Sequence, residues 1–509
     1  MSKPDHNKLL EDGILAYRHG NKDLAHRLFK KAVKNIPNDF LSHRFLGAVE
    51  HDLGKLEDAQ KSLMTAIRYA PPNESGPLED LALIKLQNGR QEEAEALLQK
   101  AVKANPSSIE ALLRLGAALI TCGRASEAVD SYQAVISLDK KNFQAAYGLS
   151  HAYLECSDFL TAIESCKKAL ELKPEDAATL SIMGVSYYQL EDFTNAQQHL
   201  KQSCSINETD QNALVHLGRA QLKLGMNSDA IETFKKAATF SQGSSILYSQ
   251  LANAYAATGD YISCIKICDE FLDSYPLSAA LYQVKACALR DSGNDQEAAE
   301  LLGQDKLVIV DKINCPRGFD GIDQFNRALE KMIYDHPTYS RSHSNRATRH
   351  GRQTGSLMVD PSPVMKEFME LVNSEVKFRI KQLQGSPEKD HPWVKNAPSN
   401  WSMNSWAVVL YDQGYQRSHI HPEAWLSGVY YVKIPGTINQ DDVAGWIEFG
   451  EVTDQLHYTQ DPKRRLVHPS EGTMVSFPSH SFHRVIPFRS DDVRISISFD
   501  LFALKTNRP

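Results

Sequence analysis

Leu46-Gly47-Ala48-Val49-Glu50-His51-Asp52-Leu53-Gly54-Lys55, followed by Ala59, Leu63, Ala66 and Pro71, sets the fold of most of this chain. The same offsets return at Gly13, Ala25, Phe29, Ala32 and Pro37. They return again at Leu115-Gly116 with Ala128 and Tyr132, and at Met183-Gly184 with Ala196 and Leu200. Leu217-Gly218 with Ala230, Phe234 and Ala237 repeats them once more. The period is about 34 residues, with a one-residue slip near Glu74. A small residue at the eighth position lets the first helix of each unit approach the second, and alanine at the twentieth does the same from the other side. A large residue at the twenty-fourth fills the space between units. Proline at the thirty-second, as in Pro37, Pro71, Pro106, Pro174 and Pro276, ends the second helix, because it has no N–H and clashes with the preceding turn. Lys140, Glu208 and Gln242 stand where that proline is otherwise found. Eight units match well, and a ninth, from about residue 279 to 305, fades after Leu302.

This pattern resembles the tetratricopeptide repeat, a helix-turn-helix unit. The resemblance implies an α-solenoid over residues 6–305 with a concave surface for a protein or peptide. Tyr187, Tyr188 and Tyr255 fall on its first helices, where they are candidates for core packing or for peptide contact.

A chain of 509 residues exceeds one ordinary core. Its composition is globular, with 42% apolar and 23% charged residues, and its net charge of -7 carries no nucleic-acid signature. The start of the chain is polar and lacks the apolar core of a signal peptide. No apolar run is long enough to span a membrane. The eight cysteines form no Cys-x-x-Cys pair, which argues against a disulfide framework or a structural zinc site and for a reducing, cytoplasmic setting. Cys264 and Cys268, four apart on one helix face, read as a seam of small core residues.

The pattern changes near Asp305. Leu307-Val308-Ile309-Val310 reads as a strand, followed by helical stretches around Gly321–Tyr334 and Pro363–Leu383. From Trp401 onward β-branched and aromatic runs alternate with turn residues: Trp406–Tyr411, Trp425–Ile434, Trp446–Phe449, Thr473–Phe477 and Arg494–Phe502. Strands at this density imply an antiparallel sandwich or barrel. The expected fold class is therefore multidomain α + β, with the solenoid first and a β domain with flanking helices over residues 306–509.

Within that domain Gln416-Arg417-Ser418-His419-Ile420-His421-Pro422 comes first. Leu426-Ser427-Gly428-Val429-Tyr430-Tyr431-Val432 follows, then Gly445-Trp446-Ile447-Glu448-Phe449. Phe477-Pro478-Ser479 with His483 and Arg494-Ile495-Ser496-Ile497-Ser498-Phe499 complete the series. This order resembles the 2-oxoglutarate- and Fe(II)-dependent oxygenase superfamily, in particular a branch with His-x-His-Pro and Ser-Gly-Val-Tyr-Tyr. The resemblance implies a double-stranded β-helix (jelly roll). It implies three protein ligands on one face of Fe(II), with 2-oxoglutarate and dioxygen at the remaining positions. It also implies decarboxylation to succinate coupled to hydroxylation, with ascorbate as a possible reductant.

Residues two apart on a strand share a side, so His419 and His421 can serve one metal, with His483 as the distal ligand. The more usual pattern is His-x-Asp/Glu, which His421-Pro422-Glu423 satisfies, so Glu423 is the alternative second ligand. His480 competes with His483. Arg494, 11 residues beyond His483, suits a bidentate grip on the distal carboxylate of 2-oxoglutarate. Ser496 shares its side of the strand, and Ser427 and Tyr431 are weaker contact candidates, as is Asn404. His457 and His468 read as loop residues. The expected activity is hydroxylation of a protein or peptide recruited by the repeats. The alternatives are a repeat scaffold with a degenerate oxygenase domain, or an oxygenase acting on a small molecule.

Overall fold

The computed structural model describes all residues except 1–2, 242, 342–346, 361, 440–441, 454–455 and 505–509, so Gln242 lies outside the described residues. The chain divides into two compact units, residues 1–216 and 217–509.

Each unit begins with paired helices. The pairs start with Lys3–Arg18 and Lys22–Asn35, then Phe40–Asp52 and Leu56–Tyr69, and continue to Ala279–Asp291 and Asp295–Leu302. A carboxylate or amide often caps a helix start: Asp39 accepts from the Ser42 amide at 2.8 Å and Asn21 from the Leu24 amide at 3.1 Å. Between the helices of successive pairs the backbone turns left-handed at Gly20, Gly54, Gly89, Gly123, Ser157, Glu191, Gly225, Gly259 and Gly293. Their spacing is the repeat period, lengthened once between Gly54 and Gly89, where the sequence slips. Ser157 and Glu191 adopt this conformation at φ near 60° without glycine's freedom. Gly47 faces Leu63, and a Cβ at Gly47 would lie 2.7 Å from the Leu63 Cγ. Ala59, Leu63 and Ala66 are fully buried behind it. Cys264 and Cys268 are buried in the same way among Ala252, Leu281 and Val284.

In the second unit the last repeat helix runs through the short helix Gln304–Leu307 into the sheet. Leu307 thus ends a helical turn, and the first strand is β1, Ile309–Lys312, slightly later than the sequence suggests. The remaining strands are β2 (Ser340–Arg341), β3 (Thr348–Gln353), β4 (Trp401–His419), β5 (Leu426–Lys433), β6 (Ile447–Phe449), β7 (Arg465–Val467), β8 (Thr473–Pro478), β9 (His483–Val485) and β10 (Arg494–Ala503). They form one curled antiparallel sheet in the order β1-β8-β5-β10-β4-β9-β6-β7, with β3 joining β4 and β2 joining β3.

Strand alternation sorts the central strand by chemistry. Ile495, Ile497, Phe499 and Leu501 pack with Phe325, Leu329, Phe368 and Val372 from the helices Ile322–Asp335 and Pro363–Gln384. Those helices cover that face, and Arg494, Ser496, Ser498 and Asp500 alternate to the other. Gly428 on β5 is required by the ring of Phe499, since a Cβ there would lie 2.2 Å from it.

Candidate metal centre

His419 ends β4, His421 lies two residues past that end, and His483 opens β9. The pairing of β4 with β9 sets His419 opposite His483, across a register shift that begins at Gln416. His421 therefore reaches the same point through the turn after the strand, and strand alternation is not what brings it there. One nitrogen from each of the three rings lies within 4.8 Å of the others. The ring centroids are 5.1 Å apart for His419 and His421, 4.3 Å for His419 and His483, and 5.1 Å for His421 and His483.

Each ring is tied by its Nδ1. In His419 this atom meets the Arg417 carbonyl at 2.7 Å, and in His483 the Ser481 carbonyl at 3.0 Å. In His421 it meets Asp500 Oδ2 at 2.7 Å. A carbonyl can only accept, so Nδ1 carries the proton in His419 and His483, and Nε2 keeps its lone pair. The His421 Nε2 is buried and has no hydrogen-bond partner among the described residues. Burial, reinforced by the charge His421 would carry, lowers the His419 pKa to about 4. Burial, with His419 and His421 beside it, holds His483 well below the usual histidine range. Both rings are neutral near pH 7, the state in which imidazole donates to a metal.

Asp500 is itself held. Ser427 Oγ donates to its Oδ1 at 2.6 Å, and the Ser427 and Ser479 hydroxyls are 2.9 Å apart. The His421 amide donates to the Ser479 carbonyl at 3.1 Å. Trp406 stacks on His421 at 5.7 Å and 18° between planes, and Phe477 packs against His483 at 4.7 Å.

All three histidines and Arg494 line one narrow pocket, walled by Val429, Ile447, Phe477 and Val485. Arg494 is 1% exposed, and its Nε and Nη1 have no hydrogen-bond partner among the described residues. Its guanidinium lies 5.1 Å from the Tyr431 ring centroid, a cation–π distance. Burial lowers the Arg494 pKa, opposed by Tyr431, and burial raises Tyr431 to about 12, so its hydroxyl stays neutral. Two unpartnered N–H-bearing nitrogens on a buried cation are costly, and a carboxylate would satisfy both. His419 and His421 also line an open cleft, together with Thr354, Gly355, Ser356, Asn404, Gln416 and Asp500.

Residues 404–500 match the family described as "Putative 2OG-Fe(II) oxygenase". Residues 10–74 match "Tetratricopeptide repeat", residues 73–181 the "Tetratricopeptide repeat protein 21 C-terminal ARM domain", and residues 155–237 "Anaphase-promoting complex, cyclosome, subunit 3". The chain is a tetratricopeptide-repeat protein with a C-terminal 2OG-Fe(II) oxygenase-family domain. No curated protein matches it. Among solved structures it is similar to a tetratricopeptide repeat protein from Parabacteroides merdae, at 19% identity and a TM-score of 0.39, over 48% of this chain and 97% of that one. A thermophilic repeat protein of Thermus thermophilus aligns at 21% identity and TM-score 0.32, over 36% of this chain and all of its own. The Cut9-Hcn1 hetero-tetramer of the anaphase-promoting complex aligns at 17% identity and TM-score 0.41, over 52% of each chain.

The oxygenase-family domain thus brings His419, His421, His483 and Arg494 to one pocket. Glu423 sits exposed in the turn after His421 and is not part of the three-residue cluster. Ser427 lines the pocket but is engaged with Asp500. Ser496 is buried opposite Val408 and Tyr431, and Ser498 rather than Ser496 lines the pocket. Tyr431 lies behind Arg494, outside the lining. Asn404 lines the open cleft, where its Oδ1 accepts from Ser356 at 2.7 Å. His480 is not part of the three-residue cluster; it is buried against Tyr282. His468 packs edge-on against Trp446, and the His457 amide donates to Asn253 Oδ1.

The sequence reading missed Asp500. Its signal is present: counting by twos from Arg494 reaches Ser496, Ser498 and Asp500, the polar side of an otherwise apolar strand. Trp406 and Gln416 were also not singled out, because an aromatic and an amide in strands carry no chemical signature without their neighbours.

Proposed function

We propose that the protein is a 2-oxoglutarate- and Fe(II)-dependent dioxygenase that hydroxylates a protein or peptide presented by its repeats. The observation that carries this reading is the convergence of three imidazoles, each tied at Nδ1, on a pocket shared with a buried and unsatisfied Arg494. The curled antiparallel sheet with a helix-covered outer face fits a double-stranded β-helix. Its unpartnered His421 Nε2 suits a metal ligand, and neutral, borderline-soft nitrogen donors suit Fe(II).

In this reading His419, His421 and His483 hold the iron, and Glu423 stays outside. Bound there, iron with 2-oxoglutarate and dioxygen would supply the oxidation of a C–H bond to C–OH, with succinate and carbon dioxide as the other products, and ascorbate would serve only to keep the metal in the Fe(II) state. Arg494 would hold the far carboxylate of 2-oxoglutarate, with the Tyr431 ring against its guanidinium. The walls Val429, Ile447, Phe477 and Val485 keep that pair dry, which strengthens it. Asp500 orients the His421 ring through its contact with Nδ1. Three neutral imidazoles leave the metal one unit more positive than a set with one carboxylate ligand, and Asp500 places a carboxyl group one hydrogen bond behind His421. The open cleft beside Asn404 and Gln416 gives the substrate its approach. Tetratricopeptide repeats are protein-interaction units, and the concave surface is the natural place for the partner. A reducing, cytoplasmic setting belongs to this reading, with five of the eight cysteines buried as small core residues.

The test uses the full-length protein with Fe(II), ascorbate and 2-oxoglutarate, and reads succinate. Release that is lost in His483→Ala supports the oxygenase. No succinate together with no metal uptake turns the protein into a repeat scaffold. Mass spectrometry of proteins bound by the chain decides the substrate class: one added oxygen atom that disappears with His483→Ala supports a protein substrate, and its absence from every bound protein favours a small molecule.

A further inference from the structure

The segments that carry the histidine cluster are held from behind by the last repeat helices, inside the unit formed by residues 217–509. The turn between β8 and β9 is gripped by the helix Ala279–Asp291. Gln283, 2% exposed, donates its side-chain amide to the His480 carbonyl. Tyr282 stacks flat on the His480 ring, at 4.6 Å and 13°. The His480 Nε2 meets the Leu302 carbonyl at 3.3 Å. In the same turn the Ser481 carbonyl ties His483 Nδ1, and the Ser479 carbonyl accepts from the His421 amide.

One turn along that helix, on the face of Gln283, Cys287 packs with Phe482 and Val452, with Ile420 against them. Phe482 is the neighbour of His483, and Ile420 lies between His419 and His421. The loop after β6 is tied in as well. Thr459 and Gln460 donate their amides to the Asp291 carboxylate at 3.0 and 3.1 Å, and the Gly450 amide donates to the Phe482 carbonyl at 2.9 Å.

A face that only buried area would be served by apolar side chains. Here a buried amide satisfies a backbone carbonyl three residues before His483, and an aromatic stack fixes the plane of the ring on that same residue. Directional contacts of this kind specify position. We propose that the helix Ala279–Asp291 is part of the frame of the metal centre, with Tyr282, Gln283 and Cys287 as positioning residues for His483 and the His419–His421 pair. The inference rests on reading those histidines as metal ligands. It makes the last repeat a component of the oxygenase centre, beyond any role as a tether for a target.

The experiment compares full-length wild type, Gln283→Leu, Gln283→Asn, Tyr282→Leu, Tyr282→Phe and His483→Ala. Co(II) binding is followed by visible absorption, and hydrogen exchange is followed at the amides of residues 483–485 without metal. Gln283→Leu, Gln283→Asn and Tyr282→Leu are expected to weaken Co(II) binding by roughly tenfold or more, the range for residues that orient a ligand. They should also change the band intensities and speed exchange at residues 483–485. Tyr282→Phe keeps the stack and loses only the bond from its hydroxyl to the Pro276 carbonyl, so it should behave as wild type. Wild-type affinity, spectrum and exchange in folded Gln283→Asn or Gln283→Leu would overturn the proposal. Wild type that takes up no Co(II), or His483→Ala that binds it unchanged, would instead overturn the ligand assignment, and the exchange comparison still decides whether the helix positions the turn.

Discussion

Asp500 does more for this site than its distance from the histidines in sequence suggests. With its Oδ2 on His421 and its Oδ1 on Ser427, it fixes the ring plane of the one candidate ligand that lies beyond a strand end. Asp500→Asn is expected to lower Co(II) or Fe(II) affinity by about 10–100-fold, while circular dichroism shows the fold intact. Calorimetric titration checks this, and an unchanged affinity would remove Asp500 from the metal's support. Glu423→Ala should bind metal as wild type does, because the side chain is exposed in a turn. Loss of binding there would restore the carboxylate alternative. Arg494→Ala should leave metal affinity in place and raise the 2-oxoglutarate concentration needed for half-maximal succinate release by at least tenfold, since a charge-assisted bidentate contact contributes about 1.5–3 kcal/mol. A proportional loss of metal binding would show that Arg494 serves the fold and not the co-substrate.

At the scale of the element, small residues decide how closely neighbours approach. A Cβ at Gly116 would lie 2.6 Å from the Tyr132 ring, and Gly148 meets the same ring from the following pair at 2.4 Å. Gly116→Ala gains helix propensity of up to about 1 kcal/mol, yet overpacking costs about 1–3 kcal/mol. Thermal unfolding should therefore show a net loss of stability, whereas a raised midpoint would mean that Tyr132 swings aside at no cost. The repeat was legible in sequence because glycine, alanine and proline hold fixed offsets for steric reasons that do not depend on distant parts of the chain. The left-handed turns at Ser157 and Glu191 were not, because neither residue type announces positive φ. The length of β4 was hidden too. Trp401–His419 passes through Asp412-Gln413-Gly414, which reads as a loop, but Gln413 takes φ of 57° and its amide donates to Phe488, so the strand bends and continues.

For the whole molecule, the junction between the last repeat and the sheet has a pH signature. Burial pushes the His480 pKa from an ordinary 6.5 to about 3, with His391 also opposing its charge and the Leu302 carbonyl favouring it. The unfolded chain takes up a proton below about pH 6.5 that the folded chain refuses. Stability from this group is therefore complete above that pH and is lost as pH falls from there toward 3. In metal-free protein the unfolding midpoint should fall between about pH 7 and pH 5, and His480→Phe should flatten that slope whatever its effect on the midpoint itself. An identical slope in the variant would mean that His480 titrates normally.

The sequence by itself determined the repeat period, its one-residue slip and the order of the oxygenase motifs, because each rests on local sterics or on neighbouring residues of one strand. It also brought His419, His421, His483 and Arg494 forward as the chemical set. Only the tertiary structure decided which groups meet. The turn after β4 carries His421 onto the cluster and leaves Glu423 in solvent, Asp500 arrives from the neighbouring strand, and Gln283 arrives from a helix nearly two hundred residues earlier in the chain. These are contacts between segments far apart in sequence, and no local spacing encodes a distance that depends on how a curled sheet closes against a helix.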